Sequence, residues 1–258
     1  MNNKGELRKP RLRHETTMPL KRIEPQPSLA QIVASQVREA IITGALHMGE
    51  NISEDRLVAQ FGVSRTPIRD AMAALSKEGL VVVLPKRGSF VFQTSPEDIA
   101  QICDYRQMLE AQAVRAALCH ARTAYLDDMS GVLTKMDEAL GRGDDCGYSL
   151  LDDRFHALAF EHCGNSYLRD AFSLISGRIS ALRANVTAPY AERRAESLRE
   201  HHALHGMLVD GRLEQFDAAL AVHVQRTGEV YLQALRDGHL RQADVMAAAG
   251  GTAAPRGY

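Results

Sequence analysis

Phe61-Gly62-Val63-Ser64-Arg65-Thr66-Pro67-Ile68-Arg69-Asp70-Ala71-Met72, residues 61–72, sets the architecture of the chain's front third. Phe61-Gly62 stops one helix, because glycine accepts the left-handed conformation that commonly closes a helix. Only a brief turn separates it from Ser64, whose hydroxyl can cap the next helix. That helix carries Ile68, Ala71, Met72 and Leu75 on its buried side. Pro67 falls in the first turn, where backbone amides lack helical partners anyway. Two helices joined so tightly through a glycine-containing turn predict a helix-turn-helix.

The flanks extend this unit in both directions. Ser53, Glu54 and Asp55 predict the start of the first of the two helices, a hydroxyl cap followed by acids that oppose the helix dipole. Further upstream, Ser28 and Gln31 have capping-box spacing ahead of an apolar stripe through Leu29, Ile32, Val33, Val37 and Ile41, which Gly44 ends. Downstream of Gly79, Val81-Val82-Val83 and Phe90-Val91-Phe92 flank Pro85-Lys86-Arg87-Gly88-Ser89, predicting a hairpin with a basic, glycine-bearing tip. Residues 28–93 are therefore expected to form a winged helix-turn-helix of three helices plus a β-hairpin wing. Residues 1–27 carry seven Lys/Arg and four prolines without apolar periodicity, and read as a disordered basic tail.

Ser95-Pro96-Glu97-Asp98 is a helix start after a very short linker. From there to about Leu240 the pattern is helical, with breaks near Thr123, Gly141 to Gly147, Gly164-Asn165, Pro189 and Gly211. The expectation is a mainly α chain, with an all-α bundle of six or seven helices over residues 96–240 and a flexible tail over 241–258. At 258 residues two domains suit the length. No run approaches the roughly 18 apolar residues of a membrane helix, and no signal peptide opens the chain, so a cytoplasmic protein without a membrane partner is expected. Cys103, Cys119, Cys146 and Cys163 form no CxxC pair and read as reduced, partly buried helix residues.

Net charge is −1, but residues 1–93 hold 14 Lys/Arg against 9 Asp/Glu while the remainder holds 17 against 23. A basic front and an acidic rear suit a protein that meets a polyanion with one end. Arg65 and Arg69, at i and i+4, share one face of the helix opened by Ser64, which its place in the motif would aim into the major groove. A guanidinium can take guanine O6 and N7 together or clamp a phosphate, and Thr66 is short enough for backbone or thymine-methyl contact. Lys86, Arg87 and Gly88 make a plausible wing tip, the glycine allowing close backbone approach.

Eight of the ten histidines lie in the rear half. Asp152 and His156 stand at i and i+4 and so project within about 40° of each other. Glu200-His201-His202 forms a second cluster, and His223 follows 22 residues after His201. An antiparallel hairpin about Gly211 would let His201 and His223 meet inside the bundle. One carboxylate with three imidazoles suits Zn²⁺, or Ni²⁺ or Mn²⁺, with positions left for water or a ligand. Such a site could also be catalytic, which leaves a metal-dependent hydrolase with a fused DNA-binding domain as an alternative, with Asp153 or Glu200 as base; a purely structural metal is another.

The run from Ala30 to Val91, through Phe61 to Met72, Glu78-Gly79-Leu80 and Arg87-Gly88-Ser89-Phe90-Val91, resembles the winged helix of the GntR family. The resemblance implies that Arg65, Thr66 and Arg69 contact an operator and that Gly88 enters the minor groove. Where some members place a basic DNA-contacting residue on the second helix, this chain has Asp55 followed by Arg56. From Glu97 to about Leu235 the chain resembles the FadR-type ligand-binding (FCD) domain, through Tyr105-Arg106-Gln107-Met108-Leu109-Glu110, Asp152 to Leu158, Gly164-Asn165-Ser166-Tyr167-Leu168, Glu200 to Leu204 and Ala221-Val222-His223-Val224. In metal-bearing members the ligands fall at positions held here by Asp152, His156, His201 and His223. That implies the branch sensing small carboxylates rather than the acyl-CoA branch. Arg106 occupies the family's inward-facing arginine position and is the first effector-binding candidate, Arg183 the second; an i,i+4 ion pair with Glu110 is the competing role for Arg106. The resemblance implies a homodimeric repressor on a palindromic operator, controlled by a small organic acid.

Overall fold

A computed structural model describes residues 26–187 and 191–240. The expected tails over 1–27 and 241–258 therefore fall almost wholly outside the described residues, as does Pro189.

The front unit is built from α1 (Leu29–Ile42), β1 (Asn51–Ile52), α2 (Glu54–Phe61), α3 (Arg65–Lys77), β2 (Val81–Leu84) and β3 (Gly88–Val91). Ser28 and Gln31 close a reciprocal capping box on α1, and Ser53 accepts from the Arg56 amide at the start of α2. Gly62 ends α2 at φ 64°, the left-handed geometry that makes the turn tight. Ser64 occupies the cap position of α3, but its side chain makes no capping bond, contrary to expectation. Its hydroxyl is left exposed at the helix start. Ile68, Ala71, Met72 and Leu75 are buried against α1 as their spacing predicts. The hairpin pairs Val81 with Val91 and Leu84 with Gly88. A third strand was not foreseen: β1 adds to β3 through Asn51↔Phe90 and Ile52↔Ser89, and two residues are too few to show an alternating pattern.

Behind it come α4 (Pro96–Arg142), α5 (Asp145–His162), α6 (Ser166–Thr187), α7 (Ala191–Val209) and α8 (Leu213–Arg236). The 47-residue α4 is two helices end to end, since Ala121 (φ −149°, ψ 44°) breaks the helical path two residues before the expected break. Gly143 closes α4 in the left-handed region, and Asp144 caps α5. Cys119 and Cys146 are exposed rather than partly buried, Cys163 is buried, and all four thiols are free.

Front and rear share one core. Leu75, Leu80, Val91 and Phe92 belong to the same buried cluster as Ile99, Ile102, Ile179, Leu182 and Tyr231. Helix α6 packs against α1, and Gly177 lets it also approach the segment between α3 and β2 so closely that an added Cβ would lie 3.2 Å from the Leu80 methyls. The Arg178 guanidinium lies 4.9 Å over the Phe92 ring and ion-pairs with Asp98 of α4. A second core fills the far half of the bundle, around Leu133, Phe155, Leu158, Leu208 and Leu220.

Candidate DNA interface and metal centre

The first turn of α3 presents Ser64, Arg65, Thr66 and Arg69 as exposed side chains, because Ile68 alone of that turn faces the core. Each arginine meets a carboxylate from α2. Arg65 Nη2 donates to Asp55 Oδ1 at 2.7 Å and Arg69 Nε to Glu54 Oε2 at 3.2 Å. At the wing, Lys86, Arg87 and Gly88 are exposed. Lys86 takes a positive φ of 62° and Gly88 one of 107°, which turns the hairpin tightly; a Cβ at Gly88 would also lie 3.3 Å from Asn51 Nδ2.

The second constellation lies inside the rear bundle. Helix α5 supplies Asp152 and His156, α7 supplies His201, and α8 supplies His223; all four are buried. The hairpin of α7 and α8 turns at Gly211 (φ 73°), roughly midway in sequence between the two histidines, and so brings them together as expected. Three imidazole nitrogens converge. His156 Nε2 lies 3.3 Å from His201 Nε2 and 3.4 Å from His223 Nε2. Asp152 adds Oδ1 at 3.6 Å from His201 Nε2 and Oδ2 at 4.0 Å from His156 Nε2.

Two carboxylates that sequence reasoning gave no orienting role fix this arrangement. Glu110 Oε2 accepts from His156 Nδ1 at 2.8 Å, and Glu200 Oε2 from His223 Nδ1 at 2.7 Å. A proton held on Nδ1 leaves Nε2 as the lone-pair atom, so both rings point acceptors at one centre. His156 Nε2 and His223 Nε2, 3.4 Å apart, are then both acceptors, and such a pair is relieved by positive charge, which the Arg106 guanidinium 2.7 Å from His156 Nε2 supplies in part and a metal ion would supply in full. A tetrahedral ion with metal–nitrogen bonds of about 2.0–2.1 Å separates its ligands by about 3.3 Å. The donor set thus fits a divalent ion, and the three histidines are a group able to hold one. Glu110 could have been found as the i+4 partner of Arg106, but its bond to His156 links residues 46 apart in sequence, which no local pattern reveals.

The electrostatics agree. Burial pushes the His201 and His223 imidazoles down, keeping them neutral as ligands must be. Burial raises Asp152, but the Arg183 guanidinium foremost opposes it, and the carboxyl is held well below its usual range. Glu110 follows the same logic: burial is overcome by Arg106 and His156.

Both arginines expected to bind an effector are beside this cluster. Arg106 is buried, its Nε 2.5 Å from Glu110 Oε1 and its Nη2 2.7 Å from His156 Nε2. The ion pair with Glu110 is therefore real, and it is what aims the guanidinium at the histidines. Arg183 reaches Asp152 Oδ2 through Nε at 2.5 Å and also pairs with Asp153. Arg106, Arg183 and His156 line one cavity of about 470 Å³ between α5 and α6, walled by Leu150, Phe160, Phe172 and Ile179. A smaller one of about 100 Å³ adjoins the other side of the cluster, lined by Asp152, His223, Arg183 and Tyr231, whose buried hydroxyl meets no hydrogen-bond partner among the described residues. Of the residues considered as a hydrolytic base, Asp153 pairs with Arg183, and Glu200 with His223 and Arg226. His162, His202 and His205 hydrogen-bond to Asp128, Asp137 and the Leu126 carbonyl, away from the cluster.

Comparison with known proteins follows the same division. The model of the gntR family of bacterial regulatory proteins matches residues 29–91, and that of the FCD domain residues 101–226. The chain is 30% identical over 184 residues to the uncharacterized HTH-type transcriptional regulator YdhC of Bacillus subtilis, spanning 70% of this chain and 80% of that one. It is 27% identical over 157 residues to the gluconate operon transcriptional repressor of the same organism, spanning 57% and 64%. Among solved structures, E. coli McbR/YncC has the same fold, with a TM-score of 0.71 at 22% identity over 81% of this chain and 99% of that one. Among the described residues no helix is long and apolar enough to cross a membrane.

Proposed function

Because this chain belongs to the GntR family of bacterial regulatory proteins and is a transcription regulator rather than an enzyme, we propose that it is a repressor whose hold on DNA is set by a small carboxylate bound beside a divalent metal in the rear bundle. The convergence of His156, His201 and His223 with Asp152, next to two buried arginines, carries this reading. These four residues would hold the ion, with Zn²⁺ first and Ni²⁺ or Mn²⁺ behind it, since imidazole and carboxylate suit all three. The bound ion would supply positive charge that attracts an anionic oxygen to this end of the cavity.

The chain's own residues do the rest. Arg106 and Arg183 offer guanidinium forks to the carboxylate, and the aliphatic and aromatic walls of the 470 Å³ cavity take its carbon skeleton. A cavity of that size, open to solvent along one side, admits a metabolite. At the other end, α3 enters the major groove with Arg65, Thr66 and Arg69 on base edges and Ser64 on a phosphate, while Lys86, Arg87 and Gly88 of the wing meet the minor groove. Two copies related by a two-fold axis read a palindromic operator in the cytoplasm. Coupling runs through α6, which carries Arg183 at the cavity and Gly177 and Arg178 against the front unit. A carboxylate that favours one placement of α6 thereby favours one placement of the reading heads.

Thermal-shift screening of the purified chain against small mono- and dicarboxylates, with metal content measured alongside, tests this. At least one carboxylate raises the melting temperature of the metal-loaded protein and does nothing after chelation. A melting temperature that falls on chelation yet responds to no carboxylate would make the metal structural and remove the effector.

A further inference from the structure

The reading arginines of α3 are not bare. Arg65 and Arg69 each spend one donor on a carboxylate of the neighbouring helix: Asp55 at 2.7 Å and Glu54 at 3.2 Å. The Arg65–Asp55 pair is widely exposed, with side-chain exposures of 62% and 75%, so its contribution to folding is small. Its placement bears on what the arginine can bind. We propose that Asp55 and Glu54 are positioning residues for DNA specificity, holding the two guanidiniums as base readers and weakening them as phosphate clamps. The inference rests on α3 meeting DNA as described above.

The chemistry of the donors carries it. Arg69 meets Glu54 through Nε, which leaves both terminal nitrogens, the end-on fork, for guanine O6 and N7. Arg65 gives Asp55 one Nη2 hydrogen and keeps Nη1 and the second Nη2 hydrogen for the same fork. Guanine offers neutral acceptors, so the carboxylate can stay in place while the base is read. A phosphate is anionic: to bind it, the arginine must either leave its carboxylate or carry that negative charge up to the backbone. Each pair therefore penalises sequence-independent binding more than guanine recognition. A carboxylate also restricts a long side chain that would otherwise sample many rotamers, so less freedom is lost when the base is engaged.

The acids are well placed for this, and their part in the fold is the modest one of opposing the α2 dipole. They occupy the first turn of α2, whose cap is made by Ser53 alone. Asn and Gln at these positions keep the volume and leave that cap intact.

The test compares the full-length wild type with Asp55→Asn/Glu54→Gln and with Arg65→Ala. A duplex enriched from a random pool by the wild type serves as the specific probe, and a scrambled duplex of equal length as the nonspecific one. Binding is followed by fluorescence anisotropy over a range of salt concentrations. The double variant is expected to bind the scrambled duplex about tenfold more tightly and to cut the specific-to-scrambled ratio about tenfold. Its nonspecific salt slope should steepen by about 0.9 for each phosphate newly clamped. Enrichment repeated with the variant should yield a motif with weakened guanine preference. If the double variant keeps the wild-type ratio, slope and motif while Arg65→Ala loses the specific probe, the two acids are ordinary surface ion pairs and the proposal is overturned. If Arg65→Ala itself keeps wild-type affinity, the reading of α3 fails, and the proposal with it.

Discussion

Glu200 is the cleanest handle on the buried centre, because it touches a ligand imidazole without being a ligand. Its Oε2 accepts from His223 Nδ1 at 2.7 Å while Oε1 pairs with the exposed Arg226. Partial burial raises the Glu200 carboxyl, but its bonds to His223 and Arg226 outweigh this and keep it ionised. Two substitutions separate its two effects. Glu200→Gln retains an oxygen that can accept from Nδ1, so the tautomer survives and only the negative charge behind the ring is lost. Glu200→Ala removes the acceptor, and His223 is free to move its proton to Nε2, the atom facing the centre. Loss of such an orienting partner weakens metal binding about 10–100-fold, or about 1.4–2.7 kcal/mol. The Gln variant should fall near the lower end and the Ala variant near the upper. Competition against a chromophoric chelator measures both. The side chain is 20% exposed and its second partner is on the surface, so the melting temperature of the chelated protein should stay close to the wild-type value. Wild-type metal affinity in both variants would refute the claim that His223 binds through Nε2 with Glu200 behind it.

Three further substitutions probe the scaffold. Gly177→Leu pushes a side chain into Leu80, already 3.2 Å from an ideal Cβ, and should cost about 1–3 kcal/mol in a thermal melt while blunting any effect of carboxylate on DNA binding. Ile68→Ala, at a position with no exposed surface beneath the reading helix, should cost about 2–5 kcal/mol, read as a lowered urea midpoint. Gly62→Ala meets no atom within 4 Å, so any loss of stability comes from the backbone at φ 64° alone; about 1 kcal/mol is expected, and no loss would show that the turn relaxes.

The front unit was legible because its signals are local. Ser28 with Gln31, Ser53, Gly62 and the Ile68-Ala71-Met72-Leu75 stripe each act within one or two helical turns, and each was placed as read. The hidden parts are the non-local ones. β1 is two residues that become a strand only because β3 lies beside them. The Arg65–Asp55 and Arg69–Glu54 pairs span ten and fifteen residues of sequence across the turn and depend on how α2 crosses α3. In the rear bundle the four candidate ligands were named from their spacing and from resemblance to known family motifs. The orienting carboxylate of His156 was out of reach, because Glu110 and His156 lie on different helices and meet only through the packing of α4 on α5. The two cavities are likewise products of packing, invisible to any pattern of residues.

Control of DNA binding by a carboxylate is read from operator affinity measured with and without that carboxylate. The wild-type chain and a His201→Ala variant, both metal-treated, are titrated onto the enriched duplex in the presence and absence of a carboxylate that raises the wild-type melting temperature. Allosteric coupling of ordinary strength changes the wild-type Kd by about 5–150-fold, and the variant, lacking a residue that is wholly buried in the cluster, binds the duplex but ignores the carboxylate. The same Kd for wild type with and without carboxylate, or an undiminished response in His201→Ala, would contradict the account.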